Sequence, residues 1–344
     1  TEDYKMSIKD WSGGIITKNQ VTPAGPLEGD AASGVWTLDQ AANYNKQGIW
    51  PTAGNFLQRA IFVTGGGSTT NAINVTTAGD ATDFGDLSPS QTGSAGGGSS
   101  TRMIIAAGAS QADTISYLAY ATLGNTVDFG NLTVGRTGVG GGSSNTRALF
   151  MGGYSAGGTE NTTDYVTVAS TGNALDFGNL DVAASEFGGT SNSTRALGVG
   201  GTNAAGAKMN NIQYFTIASL GNATDFGDRT VTGAVVGCAA NKTRALMGGR
   251  DVTSNIVDFV TIATTGNASD FGDLSAGKVG PLGIAGLTLA FFAGGTGGNH
   301  TKEIDSFTIA TTGNYVDFGD LLTNSGNGCA TGCTVSGGTA LGNA

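Results

Sequence analysis

Histidine is nearly missing from this chain: His300 stands alone in 344 residues. One imidazole cannot build a multi-histidine metal site, and it leaves a Ser-His-Asp triad without support. It lies in a Gly-Gly-Asn-His-Thr stretch and reads as a solvated loop residue. Cysteine is scarce too. Cys238, Cys329 and Cys333 form no zinc set, and within a monomer one of the three must stay unpaired. Charged residues make up only 12% of the chain, about half the usual share. Disorder needs high charge and few apolar residues, so this composition argues for a folded chain. The 16 Lys and Arg are outnumbered by 26 acids, for a net charge of −10. Phosphate binding needs clustered cations, so nucleic acid is not an expected partner. No apolar run reaches the roughly 18 residues of a membrane span, so no membrane insertion is expected. The N-terminus lacks a basic stretch followed by an apolar core, and no signal peptide is expected. The chain begins at Thr1 rather than Met, which leaves processing or an incomplete start open.

What the chain has in excess is glycine, 60 of 344 residues, more than twice the usual share of about 7%. It also repeats. Asp-Phe-Gly starts at Asp83, Asp128, Asp176, Asp225, Asp270 and Asp317, at intervals of 45, 48, 49, 45 and 47 residues. Such a period marks a repeated supersecondary unit. A kinase would carry the motif once, beside a glycine-rich phosphate loop, a strand lysine and a His-Arg-Asp loop, and none of these is present. Gly96-Gly97-Gly98 and Gly140-Gly141-Gly142 lack a following Lys-Ser/Thr and read as turns, not phosphate loops.

One copy shows the unit. Arg147-Ala-Leu-Phe-Met-Gly-Gly153 is followed by Asp164-Tyr-Val-Thr-Val-Ala-Ser170 and then by Asn173-Ala-Leu-Asp-Phe-Gly-Asn-Leu180. Residues 165–169 alternate in the manner of a half-buried strand. Gly172-Asn173 suits a tight hairpin, and a Gly-Asn or Gly-Asp pair recurs at Gly79, Gly124, Gly221, Gly266 and Gly313. Each repeat therefore reads as four short antiparallel strands. Phe84, Phe129, Phe177, Phe226, Phe271 and Phe318 are expected to plug the space between successive units, with the motif Asp and Gly closing a tight turn. A calcium site between carboxylates such as Asp225 and Asp228 is the competing reading. It is weakened by Asn131 and Asn179 at the fourth position. Arg59, Arg102, Arg147, Arg195 and Arg244 each open a strand that ends in Gly-Gly or Ala-Gly. They are expected to lock units together through a motif carboxylate or backbone carbonyls. A ligand site would need them to converge, and the sixth copy has Leu289 instead.

Four-stranded units of this length with Gly-Gly at a strand end resemble kelch repeats, at Gly65-Gly66, Gly152-Gly153, Gly200-Gly201, Gly248-Gly249 and Gly294-Gly295. The later tryptophan of a kelch blade is lacking. The expected fold is all-β, a kelch-like β-propeller of six blades over residues 56–344. Seven blades is the variant suggested by Val335-Ser-Gly-Gly338, and a β-solenoid is the other architecture. The first unit starts at its second strand, so a C-terminal strand is expected to complete the first blade and close the ring. Copper oxidases on propellers need several His and Tyr ligands, which one His cannot supply. Residues 1–55 form a separate arm. Thr37-Leu-Asp-Gln40 is a capping box opening a short helix over about 38–47. The arm holds all three tryptophans, Trp11, Trp36 and Trp50, as candidate partner anchors.

The segment Gly34-Val-Trp-Thr-Leu-Asp-Gln40 through Gly48-Ile-Trp-Pro51 is followed by repeats of the form Gly-Asn-Ala-x-Asp-Phe-Gly-Asp-Leu and Thr-Arg-Ala-Leu-Phe-x-Gly-Gly. Together they resemble virion structural proteins of marine bacteriophages, notably cyanophages, over nearly the whole chain. The resemblance implies a tail-fibre-like, particle-associated protein in several copies, extracellular when mature, and it carries no catalytic residue or cofactor. Other virion proteins are the expected partners through the arm, and host-surface glycans are a further one. A carbohydrate-binding, lectin-like adhesin is the alternative, and a glycan-acting hydrolase a lesser one. Ten of the 26 acids sit in the repeated motif, where a structural role recurs with the fold.

Overall fold

A computed structural model describes residues 37, 39–40, 42–43, 59–63, 68–87, 93–120, 124–296, 301–325 and 333–334. The chain divides into two units, residues 1–57 and 58–344. In the first, residues 39–40 and 42–43 are helical. The capping box is formed: Thr37 Oγ1 accepts the Gln40 N–H at 3.2 Å, and Gln40 Oε1 accepts the Thr37 N–H at 2.9 Å. Trp11, Trp36 and Trp50 lie outside the described residues.

The second unit is a six-bladed β-propeller built from six four-stranded antiparallel sheets. Each blade runs from an inner strand outward to the motif strand. In blade 3 these are Gly140–Ser143, Arg147–Ser155, Gly158–Thr167 and Leu175–Asn179. Blade 1 comprises Arg59–Val63, Thr69–Asn74 and Thr82–Asp86, and takes its inner strand, Cys333–Thr334, from the far end of the chain. Ala60 pairs with Thr334 and Ile61 with Cys333, which closes the ring as expected. There are six blades rather than seven, and separate four-stranded sheets exclude the solenoid. Val335–Gly338 lie outside the described residues.

The motif strand carries a β-bulge at the same place in every blade. In blade 3 Thr163 pairs with Gly178 and Asp164 with Asp176, so Phe177 is the extra residue. The same skip falls on Phe84, Phe129, Phe226, Phe271 and Phe318. A bulge re-aims a side chain, and here each ring turns into the seam with the next blade. All six are buried, and each belongs to one of six apolar clusters that span adjacent blades. Burying a phenylalanine contributes about 1.5–3 kcal/mol. The core is thus six seams rather than one centre.

The motif is not a turn. Asp-Phe-Gly lies within the outer strand, and its Asp is exposed in all six copies. The glycine triplets are not turns either: Ala95–Gly98 and Gly140–Ser143 are the inner strands of blades 2 and 3. Local propensity disfavours glycine in strands, but packing at the axis requires it. A Cβ built on Gly141 would lie 2.2 Å from the Gly96 carbonyl oxygen, and one on Gly189 would lie 2.2 Å from the Gly141 nitrogen. The inner strands of blades 2–6 are buried almost throughout.

Candidate functional site

Three sets of residues join neighbouring blades, and they absorb most of what recurs in the sequence. The first is a backbone zipper at the outer rim. The Phe177 carbonyl accepts the Gly221 N–H of the next blade at 3.0 Å, and the Asn179 carbonyl accepts the Ala223 N–H at 2.8 Å. Asn222 Oδ1 in turn accepts the Asn179 N–H at 3.0 Å. The same side-chain bond is made by Asn125, Asn173, Asn267 and Asn314, and by Asp80 to Asp320 across the closing seam. The Gly-Asn pair therefore docks blades instead of reversing the chain. The reversal in blade 3 comes earlier, where the Thr167 carbonyl accepts the Ser170 N–H. Covering the outer strand also hides backbone groups that an open sheet edge would expose.

The second set is the arginine column. Arg147 Nη1 donates to the Ile217 carbonyl of the next blade at 2.9 Å, and its guanidinium lies 5.2 Å over the Tyr165 ring. Tyr165 meets Phe177 edge-on at 5.6 Å. Arg59, Arg102, Arg195 and Arg244 likewise donate to carbonyls of the following blade, at Tyr120, Val168, Ile262 and Ile309. All five stack on an aromatic ring. Their acceptors are thus carbonyls, not motif carboxylates, and each arginine serves a different seam. At the closing seam Leu289 packs against the apolar cluster instead.

The third set has no repeating signature. Opposite the motif Asp, the third strand carries Asn71, Ser116, Asp164, Gln213, Asp258 and Asp305, all buried. Most accept from the outer strand of the preceding blade or the connection leaving it. Thr133 Oγ1 donates to Asp164 Oδ1 at 2.6 Å, Asp181 N–H to Gln213 Oε1 at 2.8 Å, and Leu322 N–H to Asn71 Oδ1 at 3.0 Å. Where the residue is an acid, a buried cation joins it: Arg136 at 2.6 Å from Asp164, Arg229 at 3.2 Å from Asp258, and Lys278 at 3.1 Å from Asp305. Burial lowers the Arg136 and Arg229 guanidinium pKa values against the opposing pull of Asp164 and Asp258. Beside Arg229, the free thiol of Cys238 is pushed up to about 12 by burial.

Among the described residues, no group of three His, Cys, Asp or Glu could hold a metal ion, Asp225 and Asp228 included. No helix among them is long and apolar enough to cross a membrane. Among the described residues, the exposed aromatics are Tyr154, at the tip of the blade 3 hairpin, and Tyr315, in the link before the outer strand of blade 6. These links leave opposite ends of the strands, so the two rings do not share a face. His300, Cys329, Gly65 and Gly66 lie outside the described residues. No protein-family model matches the chain, and no curated protein matches it.

Proposed function

We propose that the chain is a non-enzymatic structural protein of a bacteriophage particle, a tail or fibre component or an adaptor for one. One observation carries the reading: the residues that recur with the fold are spent on joining blades. The phenylalanines fill seams, the arginines tie carbonyls, and the Gly-Asn pairs zip outer strands. The inner strands pack backbone on backbone at glycine, leaving no room even for a Cβ at Gly141 or Gly189. A propeller that binds small molecules needs a cavity lined by converging polar groups, and the axial packing favours a scaffold instead.

The scaffold serves in several copies outside the cell, with Trp11, Trp36 and Trp50 of the arm as anchors for neighbouring virion proteins. A sugar-binding adhesin would be favoured by aromatics gathered on one loop face, and Tyr154 and Tyr315 stand at opposite ends. Mass spectrometry of purified particles tests the proposal. The chain should be present at a stoichiometry of several copies per particle, and its absence from particles would overturn the reading.

A further inference from the structure

Position 229 breaks the motif. In the other five copies the residue after Asp-Phe-Gly-Asp/Asn is Leu87, Leu132, Leu180, Leu274 or Leu321, all buried in the seam. In the fourth copy it is Arg229, equally buried. Its Nε donates to Asp258 Oδ2 at 3.2 Å, but Nη1 and Nη2 are buried with no acceptor among the described residues. At the Arg136 joint both Nη atoms are paired, Nη1 with the Thr162 carbonyl and Nη2 with Asp164, both at 2.6 Å, and only Nε is left without a partner.

The joint between blades 4 and 5 differs in one further way. Gly233 holds the repeat position that Arg136 and Lys278 hold elsewhere, seven residues past the motif Phe. Beside it runs Arg250, whose Cβ would lie 2.6 Å from a Cβ built on Gly233, and whose Nε is also buried and without an acceptor. Arg250 is near enough to lower the pKa of Arg229. The local acids are already engaged. Asp258 takes Arg229 Nε and Thr230 Oγ1, and Asp251 takes the Ala234 N–H at 3.0 Å and faces Lys208 at 3.8 Å. Glu186 faces Lys208 at 3.4 Å and is half exposed. Buried donors without acceptors are rare in folded proteins because each costs its full desolvation. Every unmatched group on these two side chains is an N–H donor, and a guanidinium has no acceptor to offer.

We infer that the seam between blades 4 and 5 binds a small monovalent anion of halide size, held by the Nη atoms of Arg229 with Arg250 beside it. A water molecule would have to place its own hydrogens among donors, whereas an anion accepts from each of them.

Crystals grown in sodium bromide and measured at the bromine edge test this directly. An anomalous peak within hydrogen-bond reach of Arg229 Nη1 or Nη2 is expected. Peaks confined to the surface, or oxygen density alone at Arg229, overturn the inference. In solution, unfolding is compared in sodium chloride and in sodium gluconate at equal ionic strength. Above half-saturation the folding constant should rise about tenfold for each tenfold increase in chloride, and equal stability in both salts counts against the site. Arg229→Leu with Asp258→Gln rebuilds the chemistry of the neighbouring joint, where Leu180 and Gln213 hold the equivalent positions. This double variant should fold and lose the chloride effect, and a retained effect would place the ion elsewhere. Should the variant fail to fold, the bromide experiment on the unaltered protein decides.

Discussion

Gly178 lies directly beneath the carbonyl of Gly221 in the next blade, so close that a Cβ on Gly178 would sit 2.3 Å from that oxygen. The same contact recurs between Gly85 and Gly124, Gly130 and Gly172, Gly227 and Gly266, Gly272 and Gly313, and Gly319 and Gly79. The motif glycine is therefore set by the neighbouring blade rather than by its own strand. The two glycines make a paired test. Gly221 shares the positive φ, at 150°, but a Cβ there meets nothing within 4 Å. Gly221→Ala should cost about 1–3 kcal/mol for the backbone conformation alone. Gly178→Ala should cost more, because the blades must also part. Urea unfolding of both variants checks the order, and equal losses would remove the inter-blade argument.

The arginine column predicts a second asymmetry. Arg147→Ala removes a carbonyl hydrogen bond and a stacked cation, worth about 0.5–1.5 and 0.5–1 kcal/mol. A loss of about 1–2.5 kcal/mol is expected in thermal or urea melts. Arg147→Lys should recover only part of it, since lysine lacks the planar face that lies over Tyr165. Any partner binding by the folded variant should be unchanged. An intact melting temperature with lost binding would instead make the arginines a site.

The buried pairs give a third test. Asp164→Ala leaves Arg136 charged in a seam where both side chains are 0% exposed, and a loss of about 3–5 kcal/mol is expected. Asp164→Gln with Arg136→Ala copies the joint where Gln213 and Ala184 hold these two positions, and should lose less than the single variant. Calorimetry of the two proteins would show a reversed order if the pair did not act as a unit.

These pairs also mark where the sequence stops being readable. The motif phenylalanines were legible because six seams impose one ring at one bulge. The carboxylate of Asp164 was not, because the same position holds Asn71, Ser116 or Gln213, and the amides of Asn71 and Gln213 accept from the preceding blade as a carboxylate does. Its cation is no easier to find, arriving from seven residues past the motif Phe in Arg136 and Lys278 but from three in Arg229. The glycine triplets misled for a different reason. Strand propensity describes an isolated strand, whereas Gly141 and Gly189 answer to the approach of a neighbour's backbone. Asp and Gly suggest a tight turn beside the motif Phe because both favour turns, whereas the bulge at Phe177 uses glycine without reversing the chain.

Cys238 sets an alkaline limit. Burial raises its thiol to about 12 in the fold, against about 8.5 in an unfolded chain. The thiol stays protonated in the fold while the unfolded chain loses its proton, so this stabilisation is complete below pH about 8.5 and is lost as pH rises through about 12. The slope is at most about 1.4 kcal/mol per pH unit in that window. Cys238→Ala should show a shallower loss over the same range. Parallel curves for the two proteins, measured by urea unfolding from pH 8 to 11, would dismiss the thiol as the cause.

The N-terminal arm separates anchoring from folding. Every described strand of the propeller falls within residues 59–334, and the ring is closed by the pairing of Ala60 and Ile61 with Thr334 and Cys333. No sheet borrows a strand from residues 1–55 among the described residues. Large aromatics dominate anchoring at protein interfaces, and all three tryptophans of the chain precede the first blade. A protein lacking residues 1–55 should therefore keep its melting temperature to within a few degrees and fail to join particles when supplied in place of the full chain. If the shortened protein unfolds, the arm serves the propeller's own stability. If it folds and still assembles, the tryptophans are not the anchor.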